Sequence, residues 1–204
     1  MIILSILFFV TAILYASVGF GGGSTYLALM LIWNIPYHIF PIIALLTVTD
    51  TRTIDNDKSG AILVEKIKEA NHQLIDRKIC KDNKADIVKI LKDWTNHKDI
   101  DVIITTGGTG LTGRDITPEA VDEIADKHIP GFGEVFRTIS LKTVGTSSIQ
   151  SRACAVLSNG KYIFALPGSS GGVTDAWDGI LKYQLDINNK PCNIVELFPR
   201  LKEK

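Results

Sequence analysis

The chain has 204 residues, which suits one ordinary domain with a modest addition. Its 22 Lys and Arg balance its 22 Asp and Glu, so the formal net charge at pH 7 is zero. This balance argues against a nucleic-acid binder with a broad basic face, because affinity for phosphate depends on clustered Lys and Arg. No charged residue precedes Asp50, which divides the sequence into a hydrophobic leader and a charged domain.

The cysteines and histidines do not indicate a disulfide framework or a metal site. Cys80, Cys154 and Cys192 form no C-x-x-C pair, and an odd number cannot complete a set of disulfides. This usage favours reduced thiols in a cytoplasmic protein. The four histidines lack the spacing of zinc ligands, which argues against a structural zinc site.

Residues 1–18 form an almost unbroken apolar run, MIILSILFFVTAILYASV. As a helix this run would span roughly 27 Å, just enough to cross the hydrocarbon core of a bilayer. A secretory signal peptide is the competing interpretation, but it requires a basic region that this leader lacks. GFGGGS at residues 19–24 then interrupts the run, and a second apolar stretch follows at residues 25–33. We therefore predict two hydrophobic helices joined by an irregular glycine turn.

This leader resembles the start of the sulfite exporter TauE/SafE family of transporters. The resemblance covers residues 1–41 and rests on ASVGFGGGS followed by the N-x-P-like segment Asn34-Ile35-Pro36. A transporter needs many spans and this chain offers at most one hairpin, so transport is not the expected function. Either a membrane tether was recruited or two coding frames were joined. Residues 1–33 are expected to contact a membrane in the first case, with the rest of the chain facing the cytoplasm.

From residue 42 onward, β-favouring runs alternate with amphipathic helices. Strands are predicted at residues 42–48, 73–80, 101–106, 152–157 and 161–166, and helices at 60–71, 83–94 and 173–185. Thr117 and Pro118 open a further helix, with the threonine at the cap, and residues 130–151 are predicted to form short helices around a site. This order predicts an α/β domain over residues 42–204, with a parallel-rich sheet and helices on both faces in three layers.

Three loops of this domain are candidates for ligand binding, because ligands of such sheets gather at the carboxyl ends of the strands. They comprise residues 49–52, 107–115 and 167–169. Residues 108–113 satisfy G-x-G-x-x-G, but they follow the third strand rather than the first, so the dinucleotide interpretation is weak. Small residues after a strand expose successive N–H groups that bind phosphate or polar ring atoms. A tight turn without a ligand remains the alternative.

An ordered set of motifs spans residues 42–196: LTVTDTR, KSG, KDN, TTGGTG, GRD-x-TPEA, PGFGE-x-FR, SRA, LPGS and PCN. This set resembles the molybdenum cofactor biosynthesis protein B (MoaB/Mog) family. The resemblance implies a molybdopterin-binding fold and a Mg²⁺-dependent transfer of AMP from ATP onto the terminal phosphate of molybdopterin, which releases pyrophosphate. It also implies a homotrimer or a hexamer. A molybdopterin-binding or carrier protein of the same pathway, without turnover, is the alternative.

The same resemblance assigns roles to individual residues. Asp82 in KDN and Asp115 in GRD match the acidic positions of the family's active site and would hold Mg²⁺ for catalysis. The alternative for Asp82 is a helix N-cap, and for Asp115 it is a turn or cap. The residues implied to bind substrate are Asp50, Arg52, Gly107, Gly108, Thr109, Gly110, Ser151, Pro167, Gly168 and Ser169.

Overall fold

The three central strands of the domain, at residues 42–48, 102–106 and 161–166, are almost entirely buried. The computed structural model describes residues 40–203, within one compact unit of the chain. Its strands are β1 (Ile42–Val48), β2 (Gln73–Cys80), β3 (Val102–Thr106), β4 (Lys127–His128), β5 (Cys154–Ser158) and β6 (Lys161–Leu166). They form one sheet in the order β2-β1-β3-β6-β5-β4. The first four in that order are mutually parallel, whereas β5 runs antiparallel to both of its neighbours.

Helices follow most of the strands and cover the sheet. They are α1 (Lys58–Glu69), α2 (Lys84–Asn96), α3 (Thr117–Asp122), α4 (Pro130–Val144), α5 (Ser170–Ala176) and α6 (Lys182–Gln184). A π-helical turn, Trp177–Leu181, joins α5 to α6, and 3₁₀ turns occupy Gly145–Gln150 and Val195–Arg200. The alternation of strands and helices follows the predicted order, with boundaries shifted by a few residues at some ends.

Two hydrophobic cores lie on the two faces of the sheet. Ile43 and Leu45 of β1 face one core, which also contains residues of α1, α4 and α5. Ala44 and Leu46 face the other core, which contains residues of α2 and α3. Because both faces of β1 are buried, the strand is apolar throughout rather than alternating. The predicted three-layer α/β fold is therefore confirmed.

The segment between β4 and β5 differs from its prediction. Residues 130–151 form one helix of 15 residues and a 3₁₀ turn, so the prediction of several short helices was wrong. Pro130 lies in the first turn, and Phe132 and Phe136 are buried against the sheet. This burial stabilises a continuous helix despite the glycines and threonines in its sequence, because packing of an apolar face outweighs intrinsic propensity.

The predicted leader is the remaining element. Residues 1–39, which carry the hydrophobic hairpin and its resemblance to the transporters, lie outside the described residues. Across residues 40–203, every helix is too short or too polar to cross a bilayer.

One buried histidine makes the stability of this fold sensitive to pH. His72 is 7 % exposed, between the rings of Phe40 and Trp177, and within the described residues its Nδ1 is buried without a hydrogen-bond partner. Burial lowers the pKa of His72 to about 4, although the charge of Asp186 acts in the opposite direction. The folded state therefore favours the neutral ring, and the resulting stability is complete above about pH 6.5 and lost as the pH falls toward 4.

We expect His72→Phe to abolish this contribution, because phenylalanine can keep the aromatic contacts but cannot take up a proton. In the unmodified chain, His72 should account for roughly 3 kcal/mol of the stability lost between pH 7 and pH 4. Urea unfolding of both chains at the two pH values measures the difference. An equal loss of stability in both chains would show that His72 does not control it.

Candidate functional site

The carboxyl ends of β1, β3 and β6 lie side by side, and the loops that follow them contact one another. The hydroxyl of Thr106 donates a hydrogen bond to the carbonyl oxygen of Pro167 over 2.8 Å. Arg52 Nη1, from the loop after β1, donates to the carbonyl oxygen of Gly168 over 3.1 Å. The three loops selected from the sequence thus form one rim at a single edge of the sheet, where ligands of parallel sheets bind.

The glycine loop after β3 has a shape that side chains would prevent. Gly107 has a φ of +105° and Gly108 a φ of +64°. A Cβ atom on Gly107 would lie 2.1 Å from the carbonyl oxygen of Val48, and one on Gly108 would lie 2.4 Å from Thr117 Oγ1. Both the backbone conformation and the available space therefore require glycine at these positions.

Thr117 supports the glycine loop from the start of α3. Its hydroxyl donates to the carbonyl oxygen of Gly107 over 2.9 Å, and its main-chain N–H donates to that of Gly108 over 3.0 Å. The prediction that Thr117 caps α3 was wrong: the N-cap is Ile116, with no side-chain cap, since the threonine hydroxyl is used on the loop. Pro118 lies in the first turn of the helix, as predicted.

Arg152 fixes the far side of the same loop. Its main-chain N–H donates to the carbonyl oxygen of Thr109 over 2.9 Å. Its side chain donates to two further carbonyl oxygens, that of Gly110 over 2.7 Å and that of Asp115 over 2.6 Å. The remaining Nη1 pairs with the carboxylate of Glu119. Because these protein acceptors occupy the guanidinium, we infer that Arg152 positions the loop rather than binding a ligand anion.

A cavity of about 500 Å³ opens at this rim. Most of the residues predicted to bind substrate or metal line it, namely Arg52, Gly107, Gly108, Thr109, Gly110, Asp115, Ser151, Pro167, Gly168 and Ser169. Asp50 and Asp82, also predicted, are not among the residues that line the cavity. The volume is in the range of pockets that hold one small organic molecule.

One wall of the cavity was not predicted residue by residue. It comes from α4, the 3₁₀ turn after it and α5, and includes Phe136, Ser140, Val144, Ser147, Ser148, Gln150 and Asp175. The sequence indicated that residues 130–151 surround a site, without specifying which side chains face it. The sequence did not identify Asp175 as a residue of the site, because only the packing of α5 against α4 places it beside the hydroxyls of Ser140 and Thr143.

A buried carboxylate, that of Asp57, supports the loop after β1. It accepts hydrogen bonds from Thr47 Oγ1 at 2.6 Å, Gly60 N at 3.0 Å, Arg77 Nη2 at 3.0 Å and Ser59 Oγ at 3.2 Å. Burial by itself would raise the pKa of Asp57, but these bonds lower it below its usual value. Arg52 Nη1 lies 3.9 Å from the same carboxylate. The sequence predicted only a polar loop here.

Three acidic side chains lie near one another at the edge of the glycine loop. The main-chain N–H of Asp82 donates to Asp50 Oδ1 over 3.3 Å. Burial, and then the charges of Asp50 and Asp115, raise the pKa of Asp82. Asp82 does not cap α2, because the N-cap is Asn83, whose side chain accepts from the N–H of Asp86. The alternative role for Asp82 was therefore wrong.

The carboxylate of Asp115 closes a turn and also faces the cavity. Its Oδ2 accepts from the main-chain N–H of Thr112 over 2.9 Å and from the hydroxyl of Thr112 over 2.6 Å. Burial would raise the pKa of Asp115, but these bonds, a bond from the N–H of Gly110 and the charge of Arg152 lower it. The predicted alternative, a turn aspartate, is thus observed, and it leaves the group ionised beside the cavity.

The acidic residues suit one kind of metal site. In residues 40–203, no group of three or more His, Cys, Asp or Glu side chains could enclose a metal ion. Mg²⁺ does not require such a group, since it is commonly bound by one or two carboxylates together with phosphate oxygens and water. Besides burial, the charges of Asp50 and Asp115 raise the pKa of Asp82, and a cation would offset these charges. Asp82 and Asp115 therefore fit Mg²⁺ carried in with a phosphate ligand.

We expect Arg152→Lys to loosen the glycine loop, because a single ammonium group cannot reproduce the separate guanidinium bonds to Gly110 and Asp115. Amide hydrogen exchange of residues 107–115 should become about tenfold faster or more, with no change in β1 or β3. Arg137→Lys is a matched control, since Arg137 makes only long bonds, of 3.3 and 3.4 Å, to carbonyl oxygens outside the loop. Equal exchange in both variants would contradict the positioning role of Arg152.

Comparison with known proteins places the domain among molybdenum cofactor proteins. The family described as "Probable molybdopterin binding domain" matches residues 44–186. Molybdenum cofactor biosynthesis protein B of Escherichia coli K12 is 42 % identical over 161 residues, which cover 79 % of this chain and 93 % of that protein. The protein of the same name from Bacillus cereus is 44 % identical over 142 residues, with coverages of 69 % and 84 %.

Solved structures give the same result. A crystal structure of a molybdenum cofactor biosynthesis protein B superposes with a TM-score of 0.68 at 38 % identity, covering 79 % of this chain and 93 % of that one. The tungsten cofactor synthesizing protein MoaB from Pyrococcus furiosus superposes with a TM-score of 0.63 at 33 % identity, with coverages of 70 % and 91 %.

Proposed function

Since the chain belongs to the molybdopterin-binding domain family that includes the MoaB proteins, we propose that it transfers AMP from ATP onto molybdopterin. Its role lies in molybdenum cofactor biosynthesis. One observation carries the proposal of a reaction: the glycine loop and the carboxylate of Asp115 line one cavity, and Asp50 and Asp82 lie near Asp115 just outside its lining. Such a site offers both the fixed donors and the metal ligands that phosphate chemistry uses.

The glycine loop supplies donors for a phosphate group. The N–H of Gly107 bonds to the carbonyl oxygen of Leu166, and that of Gly110 bonds to Asp115. We therefore assign the N–H groups of Gly108 and Thr109 to the ligand. Thr117 and Arg152 hold the loop in place before binding, so these donors need little rearrangement to meet a negative charge.

Arg52 supplies a positive charge on the opposite side of the rim. Its Nη1 is held by Ser59 and by the carbonyl oxygen of Gly168, and its side chain is 38 % exposed beside the cavity. A fixed guanidinium suits the terminal phosphate of molybdopterin, because its donors match phosphate geometry. We assign Arg52 to that phosphate.

Asp82 and Asp115 are the residues that would hold Mg²⁺, with Asp50 adding negative charge nearby. When bound, Mg²⁺ would neutralise phosphate charge and stabilise the departing pyrophosphate. Without it, three acidic groups would repel a polyphosphate. Burial, and then the charges of Asp50 and Asp115, raise the pKa of Asp82, so part of this shift reflects the same repulsion within the protein.

In the proposed reaction, a terminal phosphate oxygen of molybdopterin attacks the α-phosphorus of ATP. A new P–O bond forms, the bond between the α-phosphorus and the bridging oxygen breaks, and pyrophosphate leaves. No side-chain nucleophile is required. The contribution of the protein is to align the two phosphates and to balance their charge, which is how most phosphoryl transfer is accelerated.

A second function, binding or carrying molybdopterin without turnover, is favoured by one observation. Both bonds from Thr112 end on Asp115 Oδ2, so the loop itself uses half of this carboxylate. A carrier needs the glycine loop but has no use for metal-binding carboxylates. Release of pyrophosphate from ATP in the presence of molybdopterin and Mg²⁺ separates the two functions.

We expect Asp82→Asn to lower the rate of pyrophosphate release about 100-fold or more while leaving molybdopterin binding within a few-fold, because an amide is a poor Mg²⁺ ligand. The helix should be unaffected, since Asn83 and not Asp82 caps α2. Asp93→Asn, an exposed position on the same helix, is the control. Unchanged turnover would remove Asp82 from the mechanism, and an unmodified chain that binds molybdopterin without releasing pyrophosphate would be a carrier.

We further propose that the domain works in the cytoplasm as a homotrimer or a hexamer, and that residues 1–33 contact a membrane. The apolar, uncharged leader supports the membrane contact. The reduced state expected of the three cysteines supports the cytoplasm, and all three are unpaired in the structure.

We expect a chain of residues 42–204 to bind molybdopterin as tightly as the full chain, because all residues assigned to the site lie downstream of position 42. Only the full chain should sediment with phospholipid vesicles. Sedimentation with and without vesicles, together with a molybdopterin titration of both chains, tests this. Loss of binding on truncation would show that the boundary at residue 41 is wrong.

A further inference from the structure

The wall of the cavity formed by α4 and α5 differs chemically from the glycine loop. Val144 gives it one exposed apolar side chain, Ser147, Ser148 and Gln150 add uncharged polar groups, and Asp175 adds a carboxylate. A carboxylate repels a phosphate group unless a cation lies between them, and Asp175 is not among the acidic residues assigned to Mg²⁺. A wall of mostly uncharged side chains beside a fixed acceptor suits instead a flat heterocycle with N–H donors along one edge.

The carboxylate of Asp175 is held by two hydroxyls from α4. Ser140 Oγ donates to Asp175 Oδ2 over 2.9 Å, and Thr143 Oγ1 donates to the same oxygen over 2.8 Å. Ser140 is 4 % exposed, so this side of the arrangement is shielded from water. Both contacts end on Oδ2, although the Thr143 hydroxyl also lies 3.0 Å from the carbonyl oxygen of Ser140, and among the described residues Oδ1 remains as the oxygen that can accept from a ligand.

We propose that Asp175 determines specificity for the pterin ring, by accepting hydrogen bonds at Oδ1 from its adjacent 2-amino and N3–H groups. The inference rests on the proposed function, since it concerns how molybdopterin is recognised at that site. The pyrimidine edge of a pterin presents these two donors side by side. The corresponding edge of adenine presents one amino donor beside the acceptor N1, which a carboxylate repels. The ring of ATP is therefore a poor match for Asp175.

This assignment divides the cavity into a phosphate-binding end and a ring-binding end. The main-chain N–H groups of Gly108 and Thr109 and the guanidinium of Arg52 bind phosphate, and the wall containing Asp175 binds the ring. Specificity arises because a ligand without the paired donors would leave the carboxylate desolvated and unpaired, which costs more than a missing bond alone.

The test compares two fluorescent probes, 6-hydroxymethylpterin and 6-hydroxymethyllumazine, which differ in having an amino group or a carbonyl oxygen at position 2. We expect the full chain to bind the pterin about tenfold more tightly or better, because a hydrogen bond to a charged group is lost with lumazine. Asp175→Asn should reduce this preference to about twofold or less. Its affinity for pyrophosphate should stay within about twofold of the original.

Thr143→Val controls for a purely structural role, because it removes one hydroxyl from the Asp175 contact and keeps the carboxylate. It should retain most of the pterin preference. If the Asp175→Asn chain does not fold, Asp175→Glu provides a second variant that keeps the charge but displaces it, and a loss of preference is again expected. Equal binding of the two probes by the unmodified chain, or an unchanged preference in the Asp175 variants, would overturn the inference.

The outcome is separable from that of the proposed reaction. A chain with the pterin preference that releases no pyrophosphate would support the role of Asp175 and overturn adenylyl transfer. A chain that releases pyrophosphate but does not distinguish the probes would support adenylyl transfer and overturn the role of Asp175.

Discussion

Asp57 carries its negative charge in the interior of the domain, where an isolated carboxylate would be strongly disfavoured. Its charge is tolerated because donors from β1, β2 and the start of α1 converge on it. These hydrogen bonds connect the three elements through one carboxylate, so the position of each element constrains the positions of the other two. The end of β1 is fixed in this way, and with it the loop that carries Arg52 and the main chain that approaches Gly107.

In the candidate site, too, hydrogen bonds from a few side chains hold separate segments of the chain together. Arg152 and Thr117 direct their donors to main-chain carbonyl oxygens, so the glycine loop is held from two sides without using its own N–H groups. Charged side chains that a sequence search would assign to a ligand can therefore be internal supports. Arg152 illustrates the distinction, because its guanidinium lies next to the glycine loop yet all of its bonds hold the protein.

The parts of the fold that could be predicted are those with a local cause. β1 and β2 were predicted at their observed bounds: β1 is a continuous run of apolar and β-branched residues, whereas β2 mixes apolar residues with Gln, Asp, Arg and Lys and was recognised as the next strand along the chain. The role of Thr117 could not be predicted, because its hydroxyl could either cap its own helix or bond to the carbonyl oxygen of Gly107, ten residues away. The sequence does not distinguish between these two bonds. Asp57 and Asp175 were missed for a related reason: their partners lie on other elements, and only the folded chain brings them together.

The contact between Arg52 and the carbonyl oxygen of Gly168 joins residues 116 positions apart. A nascent chain therefore cannot assemble the rim until β6 and the loop after it have been synthesised. Binding competence appears only after residue 168 has been synthesised, when all four parallel strands can pair. A ligand that occupies the completed rim would bind the folded state alone, so an adequate supply of it would raise the stability of the whole domain by mass action. Cellular abundance of this protein should then follow the availability of its ligand.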